Sequence, residues 1–230
     1  MCGRYSLSST AELVRETFEL EATPALAPRW NIAPTQHAPV VKRDDDGARR
    51  LESLRWGLLD ERAPTPSGGS INARAETADS LASFRDSLRH RRCLVPADGF
   101  YEWQALEGRR HPFHVRRRDR APMAFAGLWS RWQRGHEIVD SFTILTCPPS
   151  HLVRPLHDRM PVILRPASWA SWLHQETPLD DLRAVLVPWS GDEIEAVPVS
   201  SYVNRADHEG AECQREVAPP VARQLSLLPP

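Results

Sequence analysis

Proline punctuates this chain. It occurs 21 times in 230 residues. Each proline fixes φ at about −65° and removes a backbone donor, so long helices and wide central strands are disfavoured. Turns and short extended runs are favoured instead. Strand-like runs occur at residues 54–58, 93–95, 112–115, 123–129, 142–146, 161–164 and 195–199. Several alternate apolar with polar, and helical patterns do not separate every pair. An α+β class follows, rather than a doubly wound parallel sheet.

The helical signals are few. Ser9 and Glu12 form a capping-box pattern that opens a helix running to about Leu20, with Val14 and Phe18 on one side. Leu81, Phe84 and Leu88 mark a second helix over residues 80–92. Trp169, Trp172 and Leu173 suggest a short helix after Pro166, and residues 179–186 another. PTPSGG at 64–69 reads as a flexible loop. No repeat or linker is visible, so one domain is expected over residues 1–217, followed by a tail at 218–230. The 41% hydrophobic and 26% charged residues exclude a disordered or collagen-like chain. No run of about 18 apolar residues exists. The first ten residues lack the apolar core of a secretory signal, so no membrane association and a cytoplasmic location are expected.

The net charge is −1, but the charges are segregated. Residues 85–120 hold ten arginines against five acids, and residues 176–216 hold ten acids against three arginines. Two solvated faces would account for this. So would a basic surface that receives phosphates. Lys42 is the only lysine and falls in a polar stretch, 42–46, that reads as a solvated loop. A lysine Schiff base therefore has one poor candidate. Arginine is no amine nucleophile, but it grips phosphates bidentately.

Cysteines stand at 2, 93, 147 and 213, with no CxxC or zinc-ribbon spacing, so no metal is expected. A cytosolic chain keeps them reduced. Cys93 and Cys147 border apolar runs and read as core thiols, whereas Cys213 lies in a polar segment. Cys2 is distinguished by position. If Met1 is removed, one residue carries an α-amine and a thiol on adjacent carbons. That amine has a pKa of about 7.7–8.0, so roughly a fifth of it is free base near neutrality. A 1,2-aminothiol suits an aldehyde. The amine forms an imine, and the thiol then closes a five-membered thiazolidine. Alternatively, the thiol attacks an amide with the α-amine as base. The Asn-Gly and His-Arg-Gly motifs that usually accompany that chemistry do not occur. Cys at position two by chance is a third possibility.

Three short runs are dense in polar groups: INARAET at 71–77, DGFYEW at 98–103 and HDRMPVIL at 157–164. Glu102, set among Phe100, Tyr101 and Trp103, is either a proton shuttle with a raised pKa or a solvent-facing strand residue. His157 is either oriented by Asp158 or points away from it.

Taken in order, MCGR, WNIAP (30–34), RWG (55–57), INARAET, CLVPADGFYEW (93–103), AGLW (126–129), HDRMPVIL and PVSSYVN (198–204) closely resemble the SRAP family, the SOS-response-associated peptidases that process abasic sites. The resemblance runs from Cys2 to about Val217. It implies a mostly antiparallel curved sheet with a barrel-like core and flanking helices. It also implies a covalent thiazolidine crosslink between Cys2 and an abasic site in single-stranded DNA, shielding the lesion, with peptidase action on Met1 and lyase or reversal activity. By the same resemblance Asn72 positions the reacting groups, Glu102 contacts the amine and shuttles protons, and His157 assists sugar-ring opening. Thr146 lines the same pocket, and Arg4, Arg74 and Arg159 hold phosphates. Arg85 is the further DNA contact expected, and the 116–120 cluster is taken as solvated. The partner implied is single-stranded DNA, including junctions with duplex; no cofactor and a monomer are expected. Two rivals are an amidohydrolase or peptidase acting on a non-DNA substrate and a non-catalytic reader of modified DNA. One departure stands out: no Trp occurs between Trp56 and Ile71, where the family carries an aromatic near the abasic gap. Weaker DNA affinity or an altered junction preference is the expected consequence.

Overall fold

The computed structural model describes residues 2–44 and 46–220. The chain runs β1 (Tyr5–Leu7), α1 (Ala11–Phe18), β2 (Arg29–Ile32), β3 (His37–Arg43), β4 (Arg49–Trp56), β5 (Asn72–Arg74) and α2 (Ala82–His90). It continues with β6 (Arg92–Ala97), β7 (Gly99–Leu106), β8 (Arg109–Arg117), β9 (Met123–Arg134), β10 (Glu137–Cys147), β11 (Met160–Pro161) and β12 (Ile163–Leu164). Helices α3 (Trp169–Leu173) and α4 (Leu179–Val185) precede β13 (Ile194–Pro198) and two 3₁₀ turns, Ser201–Asn204 and Ala211–Gln214. Most of the expected tail, residues 221–230, lies outside the described residues.

Two sheets form, and the class is α+β. One has the order β13-β8-β7-β1-β2. The other is mixed and has the order β11-β10-β4-β3-β6-β9-β12, with β10 also pairing β9 and β5. The pairings from β4 through β3, β6, β9 and β10 thus return to β4. Its β10–β4 and β10–β5 pairs are parallel and its other pairs antiparallel. The sheets are joined by aromatic side chains. Tyr5 of β1 meets Trp56 and Phe125 edge-on, at 5.1 and 6.0 Å between centroids, and Phe100 of β7 meets Phe125 at 6.0 Å. Such edge contacts add to the large apolar area these rings bury.

Several expectations are corrected. Helix α1 is capped by Thr10, whose Oγ1 accepts from Leu13 N–H at 3.2 Å, and not by Ser9. Ser9 is taken by Asp98, which accepts from its backbone N–H at 2.9 Å and its hydroxyl at 2.6 Å. Lys42 is in strand β3, not a loop; it pairs with Glu52 at 2.6 Å and sits 4.1 Å over the Trp129 ring. Cys213 is buried with Tyr101, Val199 and Val203 in a small second core. All four cysteines are free and buried. The basic and acidic stretches are not two solvated faces. Arg116, 4% exposed, pairs with Glu195 and Glu216, and Arg118 and Arg120 also reach Glu195.

Gly99 is required where β7 crosses β8. A Cβ there would stand 2.4 Å from the ring of His114. That ring is buried, stacks on Tyr101 at 4.7 Å and bonds Ser6 Oγ through Nε2 at 3.0 Å. Burial first, then Arg116 and Arg120, push its pKa down to about 3. An unfolded imidazole takes up its proton below about 6.5, so the fold loses stability as pH falls from there toward 3. We expect His114→Gln to flatten that acid slope, by at most about 1.4 kcal/mol per pH unit. Urea midpoints measured at neutral and acid pH test this, and an unchanged slope contradicts it.

Arg92 is the other buried charge of consequence. Its guanidinium donates to the carbonyls of Leu88 and Arg89 at the end of α2 and to those of Trp172, His174 and Gln175 around the end of α3. It thereby satisfies carbonyls that both helix ends leave open. Burial lowers its pKa to about 10, which leaves it charged. Arg92→Met is expected to cost about 3 kcal/mol. Thermal unfolding should then shift down by roughly 6–12 °C for a chain of this size.

Candidate functional site

Strand register assembles the first wall of the site. β1 and β7 are antiparallel, with Tyr5 opposite Phe100 and Ser6 opposite Gly99. Tyr101 N–H donates to Arg4 O at 2.9 Å. Continuing that register places Gly3 opposite Glu102. The second wall comes from the other sheet. Asn72–Arg74 run parallel to Ile144–Thr146, and Met160–Pro161 pair with β10 at Cys147 and Thr146. Asn72 Nδ2 donates to Cys2 O at 2.8 Å and ties the two walls together. Residues 157–159 lead directly into β11. The four residues expected to do chemistry therefore converge from two sheets.

A cavity of about 410 Å³ opens between the walls, lined by Gly3, Arg4, Glu102, Trp103, Arg110, His157 and Asn204. This is within the usual range for small-molecule sites. Cys2 lies beneath it, fully buried, with Sγ 3.9 Å from Arg4 O. Burial and the neighbouring Glu102 carboxylate push its thiol pKa well up. Glu102 is 2% exposed, and burial raises its pKa to about 7, with Asp158 adding to the rise and Arg110 opposing it. Burial excludes the solvent-facing reading of this residue. Burial also lowers the pKa of His157. Its Nδ1 accepts from Arg159 N–H at 3.0 Å and stands 2.8 Å from Asp158 Oδ1, so the adjacent carboxylate does meet the ring. Asn72 Oδ1 is buried without a hydrogen-bond partner among the described residues. Such an acceptor is open to a further donor.

The arginines differ in availability. Arg4 reaches the cavity but is braced from behind: its Nη1 donates to Asn31 Oδ1 at 2.6 Å and to Val203 O at 2.9 Å. Arg74 is exposed and forms no ion pair among the described residues. Arg159 is held bidentately by Glu76 at 2.6 and 2.8 Å, and donates to Thr146 O at 2.6 Å. Thr146 is buried and its Oγ1 donates to Ala73 O at 3.3 Å, so it braces the second wall and does not line the cavity. Arg85 is not brought to the site. It lines a separate cavity with residues 59–62, and that cavity shares no lining residue with the one above Cys2.

Four participants carried no assigned role in the sequence. Asn31 of WNIAP is fully buried, and its Nδ2 donates to the carbonyls of Arg205 and His208 at 2.9 and 2.8 Å. It thus links β2, Arg4 and the C-terminal strap. Trp103 and Asn204 are joined by a 2.7 Å bond from Nε1 to Oδ1. Both lie inside runs already singled out, which was the available signal. Arg110, 5.9 Å over Trp103, was marked only by the general basicity of its stretch. No group of three or more His, Cys, Asp or Glu suited to a metal occurs among the described residues. No helix there is long and apolar enough to cross a membrane.

A family model described as SOS response associated peptidase (SRAP) matches residues 1–206. The abasic site processing protein YoaM of Bacillus subtilis (strain 168) is 36% identical over 221 residues, covering 92% of this chain and 96% of that protein. The abasic site processing protein YedK of Escherichia coli (strain K12) is 30% identical over 223 residues, covering 92% and 98%. A crystal structure of a protein from Bacteroides thetaiotaomicron covers 94% of this chain and all of its own at a TM-score of 0.81; at 20% identity it shares the fold. With a matched span that includes Cys2, Asn72, Glu102 and His157, the chain belongs to the SRAP family.

Proposed function

We propose that this protein processes abasic sites in single-stranded DNA by trapping them covalently on Cys2 once Met1 is gone. The carrying observation is that Glu102 and His157 line one cavity with Arg4, Arg110 and Gly3, the residue after Cys2, while Asn72 holds the Cys2 carbonyl. The names of its relatives as abasic site processing proteins support the same reading.

The steps follow from the groups present. His157 passes a proton to the sugar ring oxygen while the anomeric hydroxyl gives one up, which restores the imidazole's, and the ring opens to an aldehyde. The Cys2 amine attacks that carbon. Glu102 takes a proton from the nitrogen and returns one to the departing hydroxyl, which leaves as water. The imine carbon then receives the Cys2 sulfur, and the thiol proton passes to nitrogen. The sum is oligonucleotide plus protein minus one water. A Glu102 pKa near 7 suits giving and taking at neutral pH. Asn72 Oδ1 offers an acceptor to the reacting groups. Arg4, Arg74 and Arg159 fix the flanking phosphates, Arg159 while shared with Glu76. Reversal would run the same proton transfers backwards, and removal of Met1 by the chain itself belongs to the same reading.

The thiol's environment weighs against the amidohydrolase alternative. A thiol nucleophile needs an easily formed thiolate, whereas burial and Glu102 hold this one protonated. Addition of a neutral thiol to an imine already formed has no such need.

Two outcomes are expected. Mixing the processed protein with a single-stranded abasic oligonucleotide should give an adduct whose intact mass equals the sum less one water. Cys2→Ala, or retention of Met1, should abolish it; a non-covalent complex alone would contradict the reading. Second, the rate of adduct formation should fall as pH drops through about 7, because Glu102 then gains a proton and ceases to act as base. Glu102→Gln should slow the reaction about 100-fold and remove that part of the pH profile. A rate equal to wild type would exclude the assigned role.

A further inference from the structure

Most of the basic stretch at 85–120 is neutralised or committed in the fold. Arg116, Arg118 and Arg120 pair with Glu195 or Glu216, Arg117 with Asp119, Arg91 with Glu61, and Arg85 with Asp86. Arg92 is spent on helix-end carbonyls. The side chains of Arg89, Arg109 and Arg110 form no ion pair or hydrogen bond among the described residues. Two of these three are adjacent, exposed and at the start of β8.

That start of β8 is an open edge. β13 pairs only with Phe113–Arg117, and the last bond across is Val199 N–H to Pro112 O at 3.0 Å. Beyond it lies a groove of about 390 Å³, lined among others by Arg109, Arg110, His111, Ser200, Ser201 and Arg215, and by no acidic side chain among the described residues. Arg215 is already held by Glu212. Arg110 lines both this groove and the Cys2 cavity, so its side chain borders the two. Successive strand residues face opposite sides, and Arg109 and Arg110 therefore straddle the edge.

We propose that this groove carries the phosphodiester backbone of the DNA strand where it leaves the Cys2 cavity, a second stretch of the single-strand track. The inference rests on the reading that single-stranded DNA enters that cavity. Unpaired guanidiniums, serine hydroxyls and the lack of an opposing carboxylate fit a polyanion read by charge and not by sequence. The residues that follow in the chain, 221–230, hold one arginine and no acid, so they do not complement the groove's charge.

The test uses undamaged strands, which cannot form the adduct. Affinities are measured for oligothymidylates of about 12 and about four nucleotides, the shorter filling only the cavity. Arg109→Glu is compared with Arg15→Glu, an equal charge change on α1 that lines neither cavity. Arg109→Glu should weaken the longer strand about tenfold and flatten the slope of its salt dependence by about 0.7 for each phosphate no longer neutralised. The shorter strand should bind as to wild type, and Arg109→Lys should restore the longer one. If Arg109→Glu weakens the longer strand no more than Arg15→Glu does, or weakens both lengths equally, the groove is not part of the track. Failure of the wild-type protein to form an adduct with abasic DNA would strike the covalent reading instead, and the oligothymidylate affinities would still decide the groove.

Discussion

The pairing of β1 with β7 is the constraint on which the rest depends. Three residues, Tyr5–Leu7, are clasped between β2 and β7. Their side chains are all buried, and Tyr5 is locked between Trp56 and Phe125 of the other sheet. Asp98, in the turn before β7, accepts from Ser8 and Ser9 and holds the exit of the same strand. The start of the chain, which in most proteins frays, is thereby fixed at both ends of a short strand. Cys2 has one place to go, next to the Gly3 that stands opposite the glutamate of β7. Sliding the register by one residue would turn Tyr5 out of the aromatic cluster and Glu102 away from the cavity.

Burial then does the chemical tuning, and it acts in opposite senses on acids and bases. The same dry wall raises Glu102 to about 7, raises the Cys2 thiol and lowers His157. Each shift moves a group toward its neutral form near neutral pH. Glu102 is thereby poised between its two forms near neutral pH, beside a thiol and an imidazole pushed toward their neutral ones. Positive charge sits around the rim, on exposed Arg110 and on half-buried Arg4, whose pKa burial lowers.

Much of the site was legible in the sequence because its residues lie in short runs that mix hydrogen-bonding groups with apolar ones. INARAET, DGFYEW and HDRMPVIL each supply a wall. The fold was legible where apolar residues run on continuously, as in β6 and β9. It was not legible in β1, β2 and β5, which are short and are strands only because neighbours complete them, nor in β7, which is longer and largely apolar but lacks a regular alternation. The Ser9 cap misled because local capping competes with tertiary bonding, and Asp98 accepts from both the N–H and the hydroxyl of Ser9. Lys42 misled because a charged residue in a polar run can still lay its stem on an aromatic ring. The charge segregation was visible, but not its outcome, since only the β8–β13 pairing brings Arg116 to Glu195.

That pairing also bears on how Arg4 is held. Asn31 accepts from Arg4 while donating to Arg205 and His208 carbonyls, and Arg4 itself donates to Val203. Glu216 returns to Arg116, and Val217 N–H to Pro198 O, closing the strap at its far end. The C-terminal strap is therefore fastened at one end to Arg4 and at the other to β8 and β13. An arginine held this way gives up side-chain freedom during folding and not during binding, so less of its interaction with a phosphate is lost to ordering. The stretch that is acidic in sequence thus braces Arg4 through its backbone carbonyls and not through its carboxylates.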